Sequence, residues 1–248
     1  MRVGHRGAPF LARENTLASL EAAVRLGLDM VEFDVLDLAD GALVLAHSDD
    51  LREVSHGAAD GVVRTHTLAS LREIAPDLAT LDEALELLAR EEVLLQVDVK
   101  WVGYEQQVAE ALRRHGVVSR SLASSLFAGS LRRLGTVEPE LRTAFSYPFD
   151  RHGLSLRRAS LPLAYAAVRA MRASLPRRIG GMLRRAGASA ATLNHAVITR
   201  ATVERCRSLG APVLAWTVDD AVERERLERL GVAAIITNDP RIFPGLQP

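Results

Sequence analysis

The sequence predicts an α/β fold, a (β/α)8 TIM barrel with a β-hairpin excursion after strand 2 and a long Arg-rich βα insertion after strand 5. Three observations lead there. Short β-branched or apolar runs alternate with amphipathic helical patterns along the whole chain, the signature of repeated βα units. Eight such strands fit into 248 residues, an ordinary length for one closed barrel. No G-x-G-x-x-G or Walker A motif appears, which weakens the competing reading of an open doubly wound sheet built around a nucleotide. The chain 1–248 therefore reads as one domain, with 151–187 as an insertion on its rim.

In chain order, Val3–His5 reads as the first strand, and Asn15 or Thr16 caps a helix that runs through Leu26 and stops at Gly27. Met30–Asp37 is the second strand, turned back by Asp40-Gly41 through Ala42–Ala46 as a hairpin. A loop with a short helix near Leu68–Ile74 follows, and Thr80 and Glu83 have the capping-box spacing that opens a helix to about Arg90. Val93–Lys100 is the third strand and Tyr104–His115 the next helix, ended by Gly116. Ser121–Ser125, Leu141–Tyr147, Ala190–His195, Pro212–Val218 and Ala233–Thr237 complete the strands, with helices at Thr199–Leu209 and Ala221–Leu230. Only eight residues follow Asp239-Pro240, too few for a normal closing helix.

Composition narrows the function classes. With 48% hydrophobic and 25% charged residues, the chain is neither a disordered polymer nor a membrane bundle. No run reaches the ~18 apolar residues of a transmembrane helix. The single cysteine, Cys206, excludes an intrachain disulfide and any multi-cysteine zinc site. The chain begins on Arg2-Val3-Gly4-His5 with no apolar stretch for a signal peptide, so the expected location is the cytoplasm. The 31 basic and 31 acidic residues cancel, but unevenly: residues 151–203 hold ten arginines and no Asp or Glu. Among the 31 cations only Lys100 is a lysine.

Strand alternation then concentrates the chemistry. Met30, Glu32 and Asp34 share one face of their strand against Val31, Phe33 and Val35; Gln96, Asp98 and Lys100 share one face against Leu95, Val97 and Val99. The apolar faces must meet the helices, so the acids point into the barrel. Burying unpaired carboxylates costs several kcal/mol each, so three converging acids call for a cation. An all-oxygen set suits Mg²⁺ or Ca²⁺ better than zinc, with Mn²⁺ a third candidate. The bland alternative is a salt-bridge cluster with Arg6 and Lys100. His5 and His47 each end a strand on the side that carries the acids, where two imidazoles flanking a phosphate form an acid–base pair. Lys100, a compact ammonium, suits a narrow phosphate site. His56, His66, His115 and His152 read as surface or structural, while His195 beside Asn194 is placed equally well in the pocket or outside it.

These residues match a family pattern. Gly4-His5-Arg6-Gly7, Glu14-Asn15-Thr16, Glu32-Phe33-Asp34-Val35, His47 and Asp98-Val99-Lys100 resemble the glycerophosphodiester phosphodiesterases. So do Ala215-Trp216-Thr217-Val218 and Ile236-Thr237-Asn238-Asp239-Pro240. The resemblance implies a metal-dependent barrel that cleaves glycerophosphodiesters to glycerol 3-phosphate and an alcohol. It implies His5 and His47 as the acid–base pair and Glu32, Asp34 and Asp98 as metal ligands. Arg6 and Lys100 would bind phosphate, with Glu14, Asn15 and Trp216 completing the substrate site. In the family's reaction the substrate's own 2-hydroxyl forms a cyclic phosphate that water opens. Three departures stand out: Asp98 replaces the family's usual Glu, Ser48 replaces the Asp that follows the second histidine, and Thr237-Asn238-Asp239-Pro240 spaces its Asp differently from Thr-Asp-x-Pro. Asp49 and Asp50 are the candidates to supply the carboxylate missing at Ser48.

The Arg-rich segment 151–187 has two readings. It is a solvated lid helix docked on an acidic body, or it attaches to anionic lipid headgroups, worth on the order of 1 kcal/mol per arginine. Pro176 and Gly180-Gly181 argue against a rigid helix there. The lipid reading favours lysophospholipids as substrates, as in a lysophospholipase D, and a peripheral membrane location. The same basic rim on a non-catalytic barrel would bind headgroups alone. Nucleic acid is disfavoured, since the segment holds one aromatic, Tyr165, and no recognisable module.

Overall fold

The computed structural model describes residues 1–148 and 161–246. The first half comprises β1 (Arg2–Gly4), α1 (Leu17–Arg25), β2 (Met30–Asp37), β3 (Leu43–Leu45), α2 (Leu51–Val54), α3 (Leu68–Ile74), α4 (Leu81–Ala89), β4 (Leu94–Val99) and α5 (Glu105–Arg114). The second comprises β5 (Ser121–Ser125), α6 (Ala128–Val137), β6 (Arg142–Tyr147), α7 (Leu161–Ala186), β7 (Ala190–Asn194), α8 (Arg200–Ser208), β8 (Val213–Trp216), α9 (Ala221–Leu230) and β9 (Ala234–Thr237). Parallel pairing runs from β1 through β2, β4, β5, β6, β7, β8 and β9, and β9 returns to β1, so the barrel closes. The antiparallel β3 pairs with Val35–Asp37, above the point where the short β1 leaves the same edge of β2.

The interior is layered, and the layers position the site. Val3, Met30, Leu122, Ala144, Ala190, Leu214, Ala234 and Ile236 form a buried apolar floor inside the barrel. Two residues further along six of these strands the inward positions are His5, Glu32, Ser124, Ser146, Thr192 and Trp216. The barrel is therefore dry at its base and polar at the carboxyl ends of its strands. Outside, Phe33, Val35, Val97 and Val99 pack with Leu81, Leu85 and Leu88 of α4 in a buried layer, each such leucine contributing roughly 1.5–3 kcal/mol of transfer free energy. The excursion has its own small core, in which Leu36, Val44, Leu51, Val63 and Leu71 are buried together.

Several boundaries differ from the sequence reading. The first strand stops at Gly4, so His5 opens the loop, although its N–H still bonds to the Thr237 carbonyl at 2.9 Å. Helix α6 carries no clear sequence signal, because Gly129, Ser130 and Gly135 dilute its apolar period. Its Leu131 and Leu134 nevertheless bury against the barrel. The largest correction concerns the Arg-rich segment: α7 is one helix of 26 residues that continues through Pro176 and Gly180-Gly181. Packing overrides propensity here, since Leu175, Ile179, Met182, Leu183 and Ala186 are buried at helical spacing. Gly180 permits close approach to α8, where a Cβ would meet Leu209 at 3.2 Å. The part of the insertion before Leu161 lies outside the described residues. A single turn at Pro240–Ile242 stands where a closing helix would be. Among the described residues, no helix is long and apolar enough to cross a membrane.

Cys206 sits in the apolar layer between α8 and the barrel, and burial pushes its thiol up to about 11. Folded protein should leave an aromatic disulfide reagent unreacted at mildly alkaline pH, and release one equivalent of chromophore only on unfolding. Rapid titration of the native protein would show this packing to be wrong.

Candidate active site

The loop after β1 is shaped by what Glu32 requires. A Cβ at Gly4 would stand 2.2 Å from the Gly7 carbonyl oxygen, and Gly7 has φ +91° with the Ser19 backbone against it. Between them Arg6 adopts φ 54°, a left-handed conformation that a non-glycine residue holds at a cost of about 1–3 kcal/mol. The contacts that stabilise it are local. The Ser19 hydroxyl donates to the Arg6 carbonyl at 2.9 Å, the Arg6 N–H donates to Glu32 Oε2 at 2.8 Å, and the Gly7 N–H donates to the Glu32 carbonyl at 3.1 Å. Asn15, also left-handed at φ 57°, clamps Asp34 through both ends of its amide. Its amide donates to Asp34 Oδ2 at 3.0 Å and accepts from the Asp34 N–H at 3.1 Å.

Carboxylate oxygens of Glu32, Asp34 and Asp98 lie within 4.8 Å of one another. Lys100 Nζ bridges two of them, 3.2 Å from Asp34 and 3.0 Å from Asp98. Arg6 Nε stands 3.0 Å from Asp34 Oδ2, while its Nη1 donates to Glu14 at 2.9 Å. The Ser124 hydroxyl donates to Asp98 Oδ1 at 2.5 Å and accepts from Gln96 Nε2 at 3.1 Å. Burial alone would raise the Asp34 carboxyl, but Lys100 and Arg6 hold it well below its ordinary value. Glu32 goes the other way: burial, then the charges of Asp34 and Asp98, push it well above the usual range. Among the described residues, no Arg or Lys makes an ion pair with Glu32; His5 Nε2, at 4.0 Å, is the nearest basic nitrogen.

That imbalance tests the centre as a metal site. A closed salt-bridge cluster would match each acid with a cation, whereas here Arg6 and Lys100 serve Asp34 and Asp98 and leave Glu32 over. Three hard oxygen donors with one unmatched charge fit a divalent cation.

The two histidines have different partners. His5 Nδ1 lies 2.7 Å from the Asn238 amide oxygen, and Asn238 in turn donates to Asp219 at 2.7 Å. Burial, and then the Arg6 charge, lower His5 to about 4. His47 lines the same cavity, its Nδ1 3.4 Å from Glu53 Oε2. Neither carboxylate expected to replace the one missing at Ser48 bonds to His47. Asp49 accepts from the Arg64 N–H at 2.9 Å, and Asp50 accepts from the Arg52 N–H at 3.0 Å as the cap of α2. Asp239 turns away as well, pairing with Arg241 at 2.7 Å, so Asn238 is the residue of that motif that meets His5.

These groups surround a cavity of about 480 Å³ whose far wall is made by Trp101, Leu126, Ser146, Pro148, Thr192 and Trp216. His5, Arg6, Glu32, Asp34, His47, Asp98, Lys100 and Trp216 all line it, whereas Glu14 and Asn15 stand behind Arg6 and Asp34. His195 does not line it, being paired with Glu223 at 3.0 Å. His115 pairs with Asp82 at 2.8 Å, His56 lies 3.8 Å from Asp77, and His66 stands 3.4 Å from the Ser70 hydroxyl. His152 lies outside the described residues. Sequence reasoning missed Ser124, Asn238, Asp219 and Glu53. Of these only Asn238 had a signal, its place directly after Thr237.

A closed parallel barrel with acids, cations and paired histidines converging at the carboxyl ends of its strands defines a barrel enzyme. A profile of the Glycerophosphoryl diester phosphodiesterase family matches residues 5–242, and the chain belongs to that family. It is 26% identical to a glycerophosphodiester phosphodiesterase of Caldanaerobacter subterraneus over 98% of this chain and 96% of that one. The fold matches a glycerophosphodiester phosphodiesterase of Thermotoga maritima with a TM-score of 0.75 at 20% identity, covering 99% of this chain and 97% of that one. It equally matches an Oleispira antarctica phosphodiesterase in complex with sn-glycerol-3-phosphate, TM-score 0.75 at 22% identity, covering 98% and 94%.

Asp98→Asn removes one of the three acidic donors while keeping the shape. Chelator-stripped protein carrying it should bind a divalent ion about tenfold or more weakly by calorimetry, since even residues behind a ligand typically account for 10–100-fold. Unchanged affinity would remove Asp98 from the metal site.

Proposed function

We propose that this chain hydrolyses glycerophosphodiesters to glycerol 3-phosphate and an alcohol, acting as a single domain over residues 1–248. The observation that carries this reading is the convergence, on one cavity, of His5 and His47 with Arg6, Lys100 and the three acids. Family membership and the glycerol phosphate held by the Oleispira neighbour support it.

In this reading Arg6 and Lys100 face the phosphate and orient it, and Trp216 provides an apolar wall for the substrate's carbon skeleton. The glycerol 2-hydroxyl attacks phosphorus, and its proton passes to one histidine. As the bond to the leaving oxygen breaks, the other histidine gives that oxygen a proton, leaving a cyclic phosphate and a free alcohol. Water then opens the ring with the two roles reversed, which restores both imidazoles. Glu32, Asp34 and Asp98 would hold a divalent ion, Mg²⁺ or Ca²⁺ with Mn²⁺ as the third candidate, which when bound would supply Lewis-acid charge stabilisation. Glu14 and Asn15 act from behind, fixing Arg6 and Asp34.

Helix α7 favours a second reading of where the substrate is met. Its first half carries exposed Tyr165, Arg169 and Arg172 on the side where βα loops emerge, with no acid nearby in sequence. Such a surface suits anionic lipid headgroups, and hence a peripheral site on the membrane and lysophospholipids as substrates. The default location remains the cytoplasm.

Glycerol 3-phosphate should appear when chelator-stripped protein receives glycerophosphocholine and one of the three ions. His5→Ala and His47→Ala should each cost on the order of 10²–10⁴ in kcat with the barrel still folded. No release with any ion, from either the glycerophosphodiester or lysophospholipid vesicles, would overturn the assignment. The lipid reading separately requires co-sedimentation with anionic vesicles at low salt, reduced by Arg169→Ala/Arg172→Ala.

A further inference from the structure

We propose that Glu53 is a positioning residue for His47, supplying from α2 the carboxylate that position 48 lacks. The inference rests on the acid–base reading of His47. His47 Nδ1 lies 3.4 Å from Glu53 Oε2, and no other carboxylate of the excursion is bonded to that ring. The pairing is built rather than incidental. Asp50 caps α2, and buried Leu51 anchors its first turn in the excursion core, which sets the position of Glu53 two residues on. Ser48 accepts the Asp50 N–H at 3.2 Å. His47 first, and Ser48 after it, hold the Glu53 carboxyl below its ordinary value against the cost of partial burial.

This arrangement gives His47 a defined tautomer. With Nδ1–H donated to Glu53, Nε2 is the ring atom left for the substrate. At the corresponding ring position His5 has only the amide oxygen of Asn238. The geometry therefore points to His47 as the ring that meets the leaving oxygen through Nε2, with Glu53 setting its direction.

The test uses the full chain with its activating divalent ion, comparing wild type, Glu53→Ala, Glu53→Gln and His47→Ala on glycerophosphocholine from acidic to alkaline pH. Ring-nitrogen NMR of His47 accompanies the kinetics. Glu53→Ala should lower kcat roughly tenfold with KM little changed, less than the 10²–10⁴ typical of losing the acid–base group itself. The Nδ1–H tautomer of His47 should lose its dominance. Glu53→Gln, isosteric and still an acceptor, should keep the tautomer and most of the wild-type kcat. If both Glu53 variants retain the wild-type kcat, pH profile and ring tautomer while His47→Ala is inactive, Glu53 is only a surface ion-pair partner and the proposal falls with the acid–base reading intact. If His47→Ala is itself active, both fall.

Discussion

Three carboxylates confined within 4.8 Å are the constraint on which the rest of this site depends. The β2–β4 register places Asp34 opposite Asp98 and Glu32 opposite Gln96, so neither strand can retreat without breaking the ladder. Like charges at such separations, removed from water, repel strongly. The surrounding structure answers them one by one. Lys100 spans Asp34 and Asp98, Arg6 reaches Asp34, Asn15 brackets Asp34, and Ser124 takes the second oxygen of Asp98. The unusual backbone nearby serves the same end. Gly4 and Gly7 let the loop fold tightly, and Arg6 in its left-handed conformation directs its N–H at Glu32. Strain in that loop is held in place by the charges it satisfies.

Much of this was legible because strands have a period of two. Glu32, Asp34 and Asp98 interrupt otherwise apolar strands at alternate positions, and only an inward-facing polar layer accounts for that. The eight-strand barrel followed from the same alternation; of the two cap candidates Asn15 and Thr16 the structure uses Thr16, and the capping box of Thr80 and Glu83 opens its helix as the spacing predicts. What escaped was whatever depends on contact across the fold. Ser124 is a small residue in a run of small residues, and its bond to Asp98 follows from β4–β5 register rather than from any pattern. Asp219 reaches Asn238 from a neighbouring loop. Helix α7 was misjudged for the converse reason: Pro176 and two glycines lower helical propensity locally, yet a buried stripe from Leu175 to Ala186 outweighs them.

The near-zero net charge conceals a separation that the fold makes directional. Acids concentrate in the half-barrel of β1, β2 and β4, together with the excursion above it, whereas residues 151–203 carry arginines alone. In α7 the fully buried stripe begins at Leu175; one turn earlier the partly buried Met171 still packs on the same apolar layer, while Tyr165, Arg169 and Arg172 are exposed. Arg177, Arg178, Arg184 and Arg185 are exposed on the packed half, which is what a helix does when its apolar stripe is committed to the barrel. The turns that precede Leu175 are held to that layer through Met171 and otherwise present exposed side chains. A single segment thus combines a second half that completes the barrel wall with a first half whose described side chains are largely exposed.

The two histidines show how one cavity can hold similar side chains in different electrostatic settings. His5 is enclosed, beside Arg6, with a neutral amide on Nδ1; His47 is half exposed, with a carboxylate on Nδ1. An acid–base pair working in two steps needs one member readier to give a proton and one readier to accept it at the outset, and identical environments would leave that choice to chance. In the proposed reading the chain reaches that distinction with Glu53, six positions beyond His47, rather than with the next residue. A short capped helix can place a side chain over a ring as well as an adjacent residue can, provided the cap and the buried leucine fix its direction. A substitution such as Ser48 is therefore judged by the geometry around His47 and not by its own position, because the requirement falls on the carboxylate at the ring.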